Sequence, residues 1–160
     1  MKNMKNHSIA SLGRGTYILI LRLHRDQKVQ IGEMGSFEFP SGMYAYVGSA
    51  FGPGGLAARL QHHLNRTNQP RWHIDYLRTV TELEQVLLTE EKTRREHHWA
   101  ALLHTLSCAT VVVERFGSSD CKCATHLYFL QNVLCIKSII EQVQNRFPGD
   151  VIIQNLRIKC

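Results

Sequence analysis

Apolar residues fall along this chain in two rhythms, one short and near-continuous, the other recurring every three or four positions. Residues 16–23 are an almost unbroken run of β-branched and aliphatic side chains, which predicts a buried strand. Residues 28–33 read as a second strand, with Gly35 and Ser36 marking a turn. Pro40, Ser41 and Gly42 break the chain before a third strand at 43–47, which Gly48 and Ser49 are expected to stop. Residues 51–55 read as a flexible loop. Residues 55–66 then predict a helix, because Leu56, Leu60 and Leu64 recur every four positions as a buried stripe. Arg59, His63 and Arg66 are spaced i, i+4, i+7 and share a face beside that stripe.

Residues 71–80 are ambiguous between a short helix and irregular structure, and 85–89 read as a strand. A second helix is expected over 93–106, with Trp99, Leu102, Leu103 and Leu106 on its apolar side. Residues 111–113 predict a short strand and 116–120 a loop. The last stretch predicts a helix at 138–147, stopped by Pro148 and Gly149, and a strand at 151–153. Helices and strands are interspersed without a regular βαβ rhythm, so the expected class is α+β.

Composition narrows the field. A chain of 160 residues suits one globular domain, and 44% hydrophobic with 20% charged residues is ordinary for a soluble protein. No apolar run approaches the ~20 residues of a membrane span. The polar start and the short apolar run at 17–21 do not fit a signal peptide, which makes a cytoplasmic protein the expectation. Five cysteines with no sign of export point to free thiols or a metal site rather than a disulfide framework. The net charge of +6 lies wholly in residues 1–80, where ten Lys/Arg face four Asp/Glu; residues 81–160 carry nine of each. A positive field on part of a domain suits a phosphate-rich partner.

Two short motifs stand at strand ends, Gly15-Thr16-Tyr17 and Tyr46-Val47-Gly48. A helix bearing Arg59 and His63 follows, and later a helix bearing Glu96. Cutting a phosphodiester needs an oriented or deprotonated water, positive charge on the phosphoryl oxygens and help for the leaving oxygen. Tyrosines, an arginine and a metal-holding glutamate can supply these. No GxGxxG or Walker loop anchors dinucleotide or ATP chemistry.

This order of residues resembles the GIY-YIG nuclease superfamily, which includes homing endonucleases and an excinuclease component. The likeness tightens around Tyr44-Ala-Tyr-Val-Gly-Ser-Ala50, Gly54-Gly55-Leu-Ala-Ala-Arg59, Trp72-His-Ile-Asp-Tyr-Leu77 and Phe116-Gly-Ser-Ser-Asp-Cys-Lys-Cys-Ala-Thr-His126. Together these look like a branch known mainly as a domain of unknown function, sometimes fused to endonuclease III-like proteins. The resemblance implies a small central antiparallel sheet flanked by helices, with a nuclease domain over 13–130 and a C-terminal extension over 131–160 packed on it.

It also implies roles. Tyr17 and Tyr46 would be the two motif tyrosines, one of them a general base on water. Arg59 would bind phosphate, His63 would take the place of a histidine found in part of the superfamily, and Glu96 would hold one Mg²⁺ or Mn²⁺. Gly48, Ser49, Arg66 and His73 are expected to meet nucleic acid. Thr16 replaces the usual aliphatic residue between Gly15 and Tyr17. Ser49 stands where many relatives carry a lysine, removing a cation from the site. The expected function is a metal-dependent endonuclease on DNA, structured or damaged; the alternative is a non-catalytic nucleic-acid-binding module of the same fold.

Some residues have rival explanations. Thr93-x-x-Glu96 is a capping box, in which the glutamate closes on the helix start and needs no metal. Glu90 and Glu91 each have an arginine four residues on, Arg94 and Arg95, and read as helix-surface pairs. Cys121-x-Cys123-x-x-His126 suggests a zinc site whose fourth ligand could be Cys108 or Cys135. The simpler alternative there is a helix capped by Ser119 or Asp120, followed by buried cysteines. His73 and Asp75 either line a cleft or make an ordinary buried hydrogen bond, and His97 and His98 read as surface.

Overall fold

The computed structural model describes residues 9–147 and the backbone of 154–157. At its centre β1 (Gly15–Leu23) pairs antiparallel with β4 (Gly42–Ala50) on one side and β5 (Glu82–Glu90) on the other. The sheet continues through β7 (Leu127–Leu130) to β6 (Ala109–Thr110) at one edge and β8 (Gln154–Arg157) at the other. Every pairing is antiparallel. A separate hairpin joins β2 (Gln27–Gln30) to β3 (Ser36–Phe39).

The continuous hydrophobicity of β1 follows from its central place, with both faces covered. Tyr17, Leu19 and Leu21 face a core layer shared with Leu56 and Leu60 of α1 (Gly55–Leu64) and Ile74 and Leu77 of α2 (His73–Arg78). Ile18 and Ile20 face the opposite layer, built by Trp99, Leu102 and Leu103 of α3 (Glu96–Thr105) and Ile139 and Val143 of α4 (Leu134–Arg146). The architecture is α+β, a central antiparallel sheet flanked by helices. Each fully buried aliphatic or aromatic side chain contributes about 1.5–3 kcal/mol to holding these layers together.

Several boundaries differ from the sequence expectation. β4 runs through Gly48 and Ser49 to Ala50, because pairing with β1 carries it past the glycine. The second strand ends at Gln30 and a 3₁₀ turn follows at Gly32–Met34, while β3 fills the expected turn region. The apolar residues at 111–113 form no strand; Val113 is apolar because it packs in the core with Phe116. β7 escapes a pattern reading because it has only four residues and no clear alternation. Residues 71–80 resolve into the short α2, and α4 starts four residues earlier than expected. The strand expected at 151–153 lies outside the described residues.

One expectation is overturned outright. Cys108 and Cys135 form a disulfide, with Cα atoms 5.8 Å apart. They lie 27 residues apart in sequence and meet only because the start of β6 and the first turn of α4 are neighbours. The cysteine count therefore no longer argues for free thiols throughout. Among the described residues no helix is long and apolar enough to cross a membrane.

Candidate active site

Four elements converge at one end of the sheet around a cleft of about 480 Å³. Its walls include Tyr17 from β1, Tyr46, Gly48 and Ser49 from β4, Arg59 and His63 from α1, and Glu96 from the first turn of α3. These are the residues that stood out along the sequence, and tertiary structure brings them to one place.

The two motifs lock together by register. Tyr17 lies directly opposite Gly48, and Tyr46 opposite Leu19, so both tyrosines point to the same face as diagonal neighbours. A Cβ on residue 48 would sit 2.4 Å from both Cζ and Oη of Tyr17. Glycine is therefore required there by the ring lying against it. Gly117 plays a similar part for Tyr46: it has φ +68°, and a Cβ there would come within 3.0 Å of that ring.

The hydroxyl of Tyr17 is 2.8 Å from His63 Nε2, a buried hydrogen bond between β1 and α1. Burial, then the neighbouring His62, push His63 down to about 3, so its ring is neutral near pH 7. In the tautomer with the proton on Nδ1, Nε2 accepts from the phenol. Burial also raises Tyr17 and Tyr46 above the ordinary phenol value, with Arg59 pulling both back. Behind His63, the Asp75 carboxylate accepts from the backbone N–H groups of Arg71 and Trp72 and contacts His62 Nε2 at 2.8 Å. Asp75 therefore supports the start of α2, as an ordinary buried hydrogen-bonding group.

Glu96 does not act as a capping-box residue. The helix begins at Glu96 itself, and Arg95 in the N-cap position makes no side-chain cap hydrogen bond. The carboxylate instead accepts a hydrogen bond from Ser49 Oγ at 3.0 Å. Its other oxygen lies 3.2 Å from His126 Nδ1, close but short of good hydrogen-bond alignment. Burial pushes this carboxyl up, but His126, Ser49 and His97 outweigh it and hold it below its ordinary range. The two departures in the motifs both serve this helix start. Thr16 and Ser49 are a cross-strand pair, and Thr16 Oγ1 accepts from the Arg95 backbone N–H at 3.2 Å. Ser49 therefore positions a carboxylate where a cation was expected to be missing.

Cations reach the cleft from places the sequence reading passed over. Arg71 and Arg94 line it together with Arg59. The Arg59 guanidinium lies 4.1 Å from the ring centre of half-exposed Trp72, and that of Arg94 lies 4.8 Å from Phe51. Arg94 was expected to pair with Glu90 on a helix, but the helix starts later; the Glu91–Arg95 pair does form, at 2.9 Å. Arg66 is not part of the site. α1 ends at Leu64, and the Arg66 guanidinium turns to the Thr81 carbonyl. His73 lines the cleft, with its Nδ1 accepting from the Gly117 backbone N–H at 2.9 Å. Asp120, exposed on the loop after β6, adds a second carboxylate to the wall.

Residues 16–148 match the family described as domain of unknown function DUF123. The chain belongs to that family. No curated protein and no solved structure matches it. The DUF123 span takes in every cleft residue named above and runs past residue 130 to include α4, whose Cys135, Ile139 and Val143 complete the second core layer.

Within the same DUF123 span, Cys121, Cys123 and His126 do come together, but with a different fourth member. His97, exposed on α3 and read from sequence as a surface residue, joins them; the four ligand atoms lie within 4.8 Å of one another. Neither Cys108 nor Cys135 is available, since they bond to each other. No helix follows Ser119 and Asp120, so the capped-helix alternative fails, and both cysteines are half-buried. His98 stays on the surface, edge-on to Phe147. No spacing rule linked His97 to this set, because 23 residues of chain separate it from Cys121.

Proposed function

We propose that this protein is a metal-dependent endonuclease of the GIY-YIG type, hydrolysing phosphodiester bonds in structured or damaged DNA. The observation that supports this reading is the convergence of Tyr17, Tyr46, Arg59, His63 and Glu96 on one open, cation-lined cleft.

In this reading Arg59 clamps the scissile phosphate, and Arg71 and Arg94 hold the backbone on either side. Stacking on Trp72 keeps the Arg59 guanidinium plane fixed before substrate arrives. Water is oriented by the two phenols. Its proton passes to the Tyr17 oxygen while the Tyr17 proton passes to His63 Nε2, along the 2.8 Å hydrogen bond. The water oxygen attacks phosphorus, the bridging P–O bond breaks, and the departing oxygen takes a proton from solvent. Burial leaves His63 a weak base, at about 3, so the negative charge of a phosphate in the cleft is what raises its affinity enough to take the proton.

Glu96 suits a hard divalent cation. It is an ionised carboxylate on the wall of an open, polar cleft that Asp120 also lines, which matches the preference of Mg²⁺ for one or two carboxylates with several retained waters. Bound there, the cation would supply positive charge against the leaving oxygen.

The test is cleavage of branched, nicked and plain DNA by the full chain in Mg²⁺ or Mn²⁺. EDTA and Glu96→Gln should each abolish cutting, by a factor of about 100 or more. Cutting indifferent to both would refute the mechanism. Salt-sensitive binding without any cutting would instead make the chain a nucleic-acid-binding module.

A further inference from the structure

We infer that His97, Cys121, Cys123 and His126 hold one zinc-class divalent ion in a closed tetrahedral site. A tetrahedral ion with Zn–S of about 2.3 Å and Zn–N of about 2.0 Å separates sulfur from nitrogen by about 3.5 Å. Cys121 Sγ lies 3.6 Å from His126 Nε2, and Cys123 Sγ lies 3.3 Å from His97 Nδ1. All four donor atoms lie within 4.8 Å of one another, so a single ion reaches each with small side-chain adjustments. Two thiolates and two imidazoles favour zinc over magnesium, and four protein ligands leave no open position. On binding, the two thiols lose their protons to solvent.

The loop leading into β7 is closed by backbone bonds from Arg115 N–H to the Ala124 carbonyl and from His126 N–H to the Phe116 carbonyl, with turns from Ser118 N–H to Arg115 and from Cys121 N–H to Ser118. It carries Gly117, Ser119, Asp120 and Cys121 into the cleft wall. The ion ties this loop to α3 through His97, and so fixes one wall against the other.

A second consequence rests on the nuclease reading. Zinc on Nε2 of His126 forces its remaining ring proton onto Nδ1, which faces Glu96 Oε1 at 3.2 Å and has no other partner. The ring then donates to the carboxylate, giving a metal–histidine–carboxylate chain. The zinc site in this way orients the residue that holds the catalytic cation, and His126 acts as a positioning residue.

The full chain, purified without chelator, should carry one zinc per molecule by mass spectrometry of the metal. Exchange for Co²⁺ should give the intense visible absorption of a tetrahedral thiolate complex. Cys121→Ser with Cys123→Ser should lose the zinc. Should that variant fail to fold, His97→Ala serves, since His97 is exposed; it should keep its circular dichroism and bind zinc more weakly by about 10–100-fold or more. A folded, zinc-free chain, a weak octahedral cobalt spectrum, or full affinity in His97→Ala would overturn the site. Metal content is read without nucleic acid, so a zinc-loaded chain that cuts nothing would count against the nuclease reading and leave this site standing.

Discussion

Replacing Gly48 by alanine adds one methyl group at the point where the two strand motifs touch. That methyl would sit 2.4 Å from Cζ and Oη of Tyr17 and 2.9 Å from its Cε2. Carbon atoms in contact prefer about 3.5–4.0 Å, so the overlap exceeds about 1 Å. The ring has little freedom to escape. It is 1% exposed, rigid, and tied by its hydroxyl to His63. Either β1 and β4 part locally or the ring swings off His63. Overpacking of this kind costs about 1–3 kcal/mol, and a rigid, fully buried ring belongs in the upper half of that range. At roughly 2–4 °C per kcal/mol for a chain of this size, the thermal midpoint should fall by several degrees. A hydroxyl displaced by about 1 Å should also cost cleavage about 100-fold. Calorimetry and single-turnover cleavage measure the two effects. Tyr17→Leu in the same background removes the clashing atoms, so the double variant should lose less stability than the two single losses added together, by about 1–2 kcal/mol. A Gly48→Ala chain with the wild-type midpoint, or strictly additive losses, would refute the argument from contact.

Two further outcomes follow from the site. Ser49→Ala leaves Glu96 without its 3.0 Å hydroxyl donor and should slow cleavage about 10–100-fold while hardly moving the thermal midpoint; unchanged cleavage would show that Ser49 does not position the carboxylate. His63 has a folded value of about 3 against an ordinary 6.5, so between these the unfolded chain binds a proton that the folded chain does not. Stability from this group is complete above about pH 6.5 and drains as the pH falls towards 3. Urea titrations over that window should show a shallower slope in His63→Gln, and an identical slope would mean that His63 is not buried neutral.

The motif residues were legible because they are local. Gly15 to Tyr17, Tyr46 to Gly48 and the Leu56–Leu60 stripe each declare a strand end or a helix face within a few positions. The α+β class and the two-sided burial of β1 are written in the same hydrophobic run. What the chain could not disclose were contacts between distant segments. Thr93 and Glu96 have the spacing of a cap, but Thr16 and Ser49, from strands of the opposite half, pull the helix start to Glu96 and turn its carboxylate into the cleft. Arg66 keeps helical spacing with Arg59 on paper, yet the helix ends first and the side chain goes to Thr81. Cys108 chooses Cys135 rather than the Cys121–His126 motif, and that motif finds its fourth member in His97, because α3 and the loop before β7 pack side by side. Periodicity encodes which face of an element is buried; which elements then become neighbours is set by layer packing and strand order, and that choice is made only by the folded whole.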